Sequence, residues 1–567
     1  MKRPSARTAL LAVSVGLSTS ACGVEETGIP PPIDALYYPV GLAAHPDGRY
    51  LYVANAGFDR RYNAGTVTVM DTWTRRFLPE STVSTGLFAG ELAVARFGRV
   101  RLVRGDVNVD ATADREVVRF EVRNVGSLAA EEAIVRLRFP DGLEDTQLAI
   151  APGAEALDAT VGLAGDDAHW RVVRLEPGAA LTLEASWACA ADDCRLAEDG
   201  DASGVHLSFR TQWAGQSETD LERGDARAPE APRVQALLVT REDTTLTVLE
   251  VDAARGEAFG HLDCGQVENG RCDAQHRIVR YEGLTDRPTV GGDPYGLALD
   301  ATGLFLSHVD RGELSRWDFV GFDADEPAIL RPRGICRLSL AGGASSVARH
   351  PALGWAYVSD RFGQAVSTVE LLDPLDRGEL GRVSPERCRM EERGAVVVDR
   401  NPARGRSRGL AFAADGTRLY VASNTDASLR VYETSVGPRG RPPHNLLGAI
   451  PLGGGPNVVR VAGLRAGERR APGGPDTGDV GRAVDARGEG LVYVTAFEDN
   501  RLLVVDPALL AVVAKIETGG GPHDVVFLPD ADGRLFAWVT NFRDHTLSVI
   551  DIDPESDRRF TVVATVR

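Results

Sequence analysis

One pattern returns along most of this chain and restricts what the chain can fold into. It runs as a Gly/Pro entry, a short apolar stretch, an Asp-Gly type of turn, a stretch ending in Tyr-Val-x-Asn or a relative, a polar turn, and a stretch ending in Asp. The clearest copy is Pro39-Val-Gly-Leu-Ala-Ala-His-Pro-Asp-Gly48, then Leu51-Tyr-Val-Ala-Asn55, then Thr66-Val-Thr-Val-Met-Asp71. Entry and second stretch recur as Pro294-Tyr-Gly-Leu-Ala-Leu-Asp300 with Leu304-Phe-Leu-Ser-His308, and as Ser346-Val-Ala-Arg-His350 with Ala356-Tyr-Val-Ser-Asp360. They recur again as Gly409-Leu-Ala-Phe412 with Leu419-Tyr-Val-Ala-Ser-Asn424, as Gly481-Arg-Ala-Val484 with Val492-Tyr-Val-Thr495, and as Pro522-His-Asp-Val-Val-Phe527 with Trp538-Val-Thr-Asn541. Asp47-Gly48, Asp415-Gly416 and Asp532-Gly533 are dipeptides that close hairpins, and β-branched and aromatic residues flank them. Each copy is therefore expected to be a small antiparallel sheet. One such sheet cannot bury both faces alone, and repeated sheets packed radially can.

Strand endings such as Tyr52-Val53-Ala54-Asn55 resemble the YVTN repeat family, which implies a seven-bladed β-propeller. Seven copies are counted if Gly90-Glu-Leu-Ala-Val-Ala-Arg-Phe-Gly98 is the first strand of a second blade. Its next strands are then Ala236-Leu-Leu-Val-Thr240 and Thr245-Leu-Thr-Val-Leu-Glu-Val-Asp252, so 99–232 interrupt the blade. The interruption is strand-patterned too. Val118, Phe120 and Val122 alternate with Arg119, Glu121 and Arg123, as Val205, Leu207 and Phe209 do with His206, Ser208 and Arg210, which gives each strand one buried and one wet face. Leu175-Glu-Pro-Gly-Ala-Ala-Leu-Thr-Leu183 adds a turn and a strand, and the polar stretch 214–232 reads as a return linker. The Val117 to Gly126 region resembles the start of bacterial Ig-like domains, which implies a β-sandwich. The expected class is all-β: a propeller over 37–98 and 233–567, interrupted in its second blade by a sandwich over 99–232.

The first 21 residues read as a signal peptide, with Lys2, Arg3 and Arg7 before an apolar stretch from Thr8 to Leu17 that is too short to span a bilayer. Ser20-Ala21-Cys22 resembles the lipobox of bacterial lipoproteins, which implies lipidation at Cys22, although Thr19 stands where that family prefers Leu. Residues 22–36 then form a proline-rich tether. Setting Cys22 aside leaves Cys189, Cys194, Cys264, Cys272, Cys336 and Cys388, an even number suited to an oxidising compartment. The pairing closest in sequence is 189 with 194, 264 with 272 and 336 with 388, but spacing alone does not choose among the connectivities that six cysteines allow. No spacing is that of a zinc site and none attaches haem, so neither metal nor cofactor is expected. Gly23 after the cysteine points, by analogy with enterobacterial sorting, to an outer-membrane lipoprotein facing the periplasm or the cell surface, with the lipid anchor as its membrane contact.

Net charge is −18, and −21 once Lys2, Arg3 and Arg7 are removed, so nucleic acid is not an expected partner. The face carrying the blade entries and the turns between second and third strands collects Tyr38, Tyr295, Arg408 and His523 from entries. The turns supply Phe58, Asp59, Arg60, Arg361, Phe497, Asp499, Phe542, Arg543 and Asp544. Tyr38, Arg60, Tyr295, Arg361, Arg408, His523 and Arg543 are the candidate ligand-face residues, because guanidinium groups beside aromatics suit an acidic or sugar-like ligand. Gly519-Gly-Gly-Pro-His523 and Gly453-Gly-Gly-Pro-Asn457 share the turn and not the histidine, which favours a structural role for the turn. His45 and His350, each before a proline, read as packing residues. No G-x-S-x-G, P-loop or H-E-x-x-H motif is present, so no catalytic residue is assigned. The expected function is a non-catalytic envelope scaffold binding a protein, a glycan or a small acidic ligand. The alternative is a lactonase-like hydrolase using a metal or a His/acidic cluster on the entry face.

Overall fold

The computed structural model describes 28–567 apart from 47, 98–100, 112–113, 127–129, 139–144, 151–158, 165–166, 190–206, 213–218, 225–232, 253–259, 266–270, 280–289, 301–302, 321–330, 341, 352, 364, 373–387, 398–406, 438–440 and 463–489. Among the described residues the regular elements are strands, apart from one turn of 3-10 helix at Pro79–Ser81. The clearest copy of the repeat forms an antiparallel sheet of Pro39–Ala44, Tyr50–Asn55, Gly65–Asp71 and Arg76–Phe77, with Val83–Thr85 also on the third strand. Later copies give four-stranded sheets that begin with Pro294–Asp300, Ala344–Arg349, Ser407–Phe412, Pro456–Ala462 and Pro522–Pro529. In the fourth of these Pro456–Ala462 is the strand paired with Leu491–Ala496, where the sequence pattern put Gly481 to Val484, which lie outside the described residues.

Between the first of these sheets and the others stands one made from distant segments. Ala89–Phe97 pairs with Arg233–Thr240, in register from Phe97 opposite Arg233, and Thr245–Asp252 follows. The first strands touch in chain order, and Pro522–Pro529 returns to Pro39–Ala44, so the sheets close a ring in the manner of a β-propeller. Among the described residues no strand is exchanged across the closure. Leu42, Leu51, Val53 and Met70 of the first sheet pack on Leu528, Phe536, Trp538 and Leu547 of the last. Second strands carry the bulk of the inter-sheet filling: Tyr52, Phe305, Tyr357, Tyr420, Tyr493 and Trp538 are all buried.

A β-bulge opens each first strand. Register shifts fall between Pro39 and Gly41, Pro294 and Leu297, Ala344 and Val347, Ser407 and Leu410, Pro456 and Val459, and Pro522 and Val525, and opposite Ala89 to Leu92 in the interrupted sheet. A bulge takes backbone groups out of the ladder, and near the ring axis they need other partners. The third residue's amide finds a hydroxyl on the second strand: Gly296 N donates to Ser307 Oγ at 2.8 Å, Ser346 N to Ser359 Oγ at 3.0 Å, Val458 N to Thr495 Oγ1 at 3.0 Å, and Asp524 N to Thr540 Oγ1 at 2.8 Å. That hydroxyl occupies the x position of the Tyr-Val-x-Asn pattern.

Between Phe97 and Arg233 the chain forms two further five-stranded antiparallel sheets over one core that includes Phe120, Val135, Trp170, Leu183 and Trp187. Val118, Phe120 and Val122 point inward as their alternation implies, while Arg119 lies outside and bridges Asp110 and Glu184. Cys264 is bonded to Cys272 and Cys336 to Cys388, with Cα separations of 5.0 and 5.9 Å. Cys189 is disulfide-bonded, whereas Cys194 and Cys22 lie outside the described residues, as do Val205 and His206.

The hydroxyl bonds yield a direct test. Thr540→Ala removes the acceptor of the buried Asp524 amide and is expected to cost about 1–3 kcal/mol in denaturant unfolding. Thr540→Ser is expected to cost far less, and equal losses in the two variants would assign the effect to the methyl group instead.

Candidate functional site

The bulge also decides which side chains meet at the centre of the ring. The second residue of every first strand (Val40, Gly90, Tyr295, Ser345, Arg408, Asn457 and His523) lines a single cavity of about 810 Å³. Third residues Glu91, Ser346, Val458 and Asp524 line it as well, and the turns after the second strands contribute Phe58, Arg60, Arg241, Asp310, Arg361, Phe497 and Phe542.

Of the seven ligand-face candidates, Arg60, Tyr295, Arg361, Arg408 and His523 come together in this cavity. Tyr38 and Arg543 do not line it. The Tyr38 ring packs on Phe58, Phe542 and His545, and Arg543 stacks on Phe497 and pairs with Glu498 at 2.8 Å. The acidic turn residues are loop braces: Asp499 Oδ2 accepts Gly454 N at 2.8 Å and Asp544 Oδ2 accepts Gly520 N at 2.6 Å. His45 and His350 are buried, His350 Nε2 lying 3.0 Å from the Thr434 carbonyl.

The cavity is cationic on one side. Arg361 and Arg241 both stack on Tyr295, at 5.2 and 5.3 Å from the ring centre, and Arg241 is held by both oxygens of Asp293. Arg361 and Arg408 have no carboxylate partner among the described residues, and Arg361 Nη1 and Arg408 Nε are buried without any hydrogen-bond partner. Burial lowers the Arg361 guanidinium below its usual range. Tyr295 opposes that shift, and Arg408 and Arg241 add to it.

Three groups beside the arginines join neighbouring sheets. His523 Nδ1 donates to the Val40 carbonyl at 2.9 Å, which in the neutral ring leaves the Nε2 lone pair unengaged by that bond. Burial lowers its pKa, with Asp524 and the Val40 carbonyl opposing and Arg408 and Arg460 adding. Asp524, 3 % exposed, accepts Leu42 N at 3.1 Å and pairs with Arg460 at 3.1 Å. Glu91 Oε2 accepts Leu297 N at 2.6 Å. Burial raises the Glu91 carboxyl to about 7, against the pull of Arg460 and the Leu297 amide and with Asp524 reinforcing the rise.

Glu91, Asp524, Arg460 and Arg241 were not among the sequence candidates. Aligning the copies at the residue after each entry exposes the first two, since Glu91 and Asp524 occupy the same repeat position. Among the described residues no three His, Cys, Asp or Glu side chains form a group able to hold a metal ion.

No protein-family model matches the chain, and no curated protein matches it. Similar solved structures include the periplasmic gluconolactonase of Pseudomonas aeruginosa, at 17% identity over 64% of this chain and 92% of that one, with a TM-score of 0.36. A protein of unknown function from Desulfotomaculum acetoxidans is similar at 12% identity, with 64% and 91% covered and a TM-score of 0.36. A Lactobacillus plantarum protein is similar at 12% identity, with 74% and 97% covered and a TM-score of 0.34.

The folded chain holds the Glu91 proton more tightly than the unfolded chain does, so this side chain's contribution to stability is full below pH 4.5 and declines as pH rises toward about 7. His523 acts in the opposite sense, its contribution being lost as pH falls below 6.5. Glu91→Gln keeps an acceptor for Leu297 N and removes the titration. Its unfolding free energy is expected to gain about 1 kcal/mol on the wild type between pH 4.5 and 7.5, after allowance for water in the cavity. Parallel curves for the two proteins would show that Glu91 titrates normally.

Proposed function

We propose that the chain is a cell-envelope lipoprotein, tethered through a lipidated Cys22 in the outer membrane, that acts as a non-catalytic binding module. In this reading 37–98 and 233–567 form a seven-bladed YVTN-type propeller, 99–232 form an inserted Ig-like sandwich, and the central cavity receives a small acidic ligand. The sandwich offers a second surface for a protein or glycan partner.

The observation that carries the reading is the pair Arg361 and Arg408. In a chain with an excess of eighteen negative charges, these two guanidiniums line the cavity with a buried nitrogen each that lacks a hydrogen-bond partner, and neither pairs with a carboxylate among the described residues. Buried donors without partners are costly, and an anion accepting from both relieves that cost. The arrangement supplies charge and shape, while two of the cavity's carboxyl groups are engaged in joining sheets: Asp524 by Leu42 N and Arg460, and Glu91 by Leu297 N.

A second reading, a hydrolase of lactone-like substrates, draws on His523 and the raised Glu91 carboxyl in the same cavity. One set of measurements separates the two. The binding module is expected to take up 1-naphthoate or gluconate in calorimetry, with Kd rising at least tenfold in Arg361→Gln/Arg408→Gln and rising with salt. It leaves glucono-δ-lactone hydrolysis at the spontaneous rate. Lactone hydrolysis that depends on His523 or Glu91 would replace this reading with the hydrolase, and retention of Cys22→Ala in the membrane fraction would remove the anchor from it.

A further inference from the structure

Resting on that reading of the cavity, we infer that its ligand is amphiphilic: a small organic carboxylate with an aromatic or alkyl body, not a uniformly polar acid. The reason is that the phenyl rings of the lining and its two guanidiniums without a carboxylate partner come from different sheets, while Arg60, which stacks on Phe88, is paired with Glu242. Phe88, Phe58, Phe542 and Phe497 form a continuous wall, with successive ring centres 5.7, 5.6 and 6.0 Å apart. All four line the cavity, and Phe58 is 59% exposed. They come from turns of the sheets beginning with Pro39, Pro456 and Pro522 and from the entry of the sheet beginning with Ala89, which are neighbours in the ring. Arg361 and Arg408 belong to the sheets beginning with Ala344 and Ser407, on the other side.

Turn tips are where apolar rings have least reason to gather, and a cluster of them facing a cavity gains by being covered. A gluconate-like acid would satisfy the arginines and leave the phenyl wall in water. A neutral arene would cover the wall and leave the guanidinium nitrogens without acceptors. A molecule with one carboxylate and one apolar body satisfies both sides, and a cavity of about 810 Å³ admits one of that size.

The test is calorimetric titration of the whole mature protein with 1-naphthoate, gluconate and 1-naphthalenemethanol. The naphthoate is expected to bind at least tenfold more tightly than either of the others. Phe58→Ala is expected to weaken naphthoate at least fivefold without altering gluconate, Phe58→Leu to restore most of that loss, and Arg361→Gln to weaken both acids. Melting temperatures of the variants confirm that each is folded. Gluconate binding as tightly as naphthoate, or naphthoate binding indifferent to Phe58→Ala, overturns the amphiphilic ligand and leaves an anion site. Failure of both acids to bind, or binding indifferent to Arg361→Gln and Arg408→Gln, overturns the anion site as well.

Discussion

The amides freed by the bulge at the start of each first strand are the constraint around which the centre of this ring is built. In four of the sheets the third residue's N–H is taken by a hydroxyl of the second strand. In several of the sheets the fourth residue's N–H faces the preceding sheet and meets that sheet's third residue in one of two ways. Glu91 and Asp524 reach it with a carboxylate, at Leu297 N and Leu42 N. At Gly409 the backbones themselves close up: a Cβ there would lie 2.6 Å from Val459 N, a separation that side-chain carbons do not reach, so glycine is required. Acid or glycine at this position is thus first a choice between two ways of joining sheets. The carboxylates in the cavity have structural work before any ligand arrives.

Much of the ring was legible because its signals are local. The Tyr-Val-x-Asn copies placed the second strands, and the Asp-Gly dipeptides placed several of the turns. Gly90 to Gly98 and Ala236 to Thr240 were recognisable as parts of one sheet despite the long stretch between them, because the copy would otherwise lack strands. The alternation of Val118, Phe120 and Val122 oriented a strand of the interruption for the same reason. The parts of the site that escaped notice depend on neighbours far away in sequence. Glu91 matters through an amide 206 residues later, and Asp524 through one 482 residues earlier. Tyr38 and Arg543 stand beside lining residues, yet one is packed against Phe58 and the other is held by Phe497 and Glu498, partners that the pattern of residue types does not encode.

The lining of the cavity carries both signs of charge, and its arginines divide into those tied to a carboxylate and those that are not. Arg241, Arg460 and Arg60 are each tied to a carboxylate, Asp293, Asp524 and Glu242 in turn. Those pairs hold their guanidiniums at the wall while cancelling most of their charge. Arg361 and Arg408 remain as the uncancelled part, in surroundings drier than the outer surface, where each charge acts over a longer range. Distant surface carboxylates are screened by salt and do little to offset them.

Among the described residues the closure between the first and last sheets is made without a shared strand, and this ties occupancy of the cavity to integrity of the ring. Side-chain packing and the bonds from His523 to Val40 and from Leu42 to Asp524 span that seam, and the phenyl wall crosses it from Phe58 to Phe542. A molecule resting on both rings would act as a splint across the joint. Opening and release then become two descriptions of one equilibrium, so the ring stiffens when filled and loosens when emptied, by an amount fixed by the ligand's affinity and concentration.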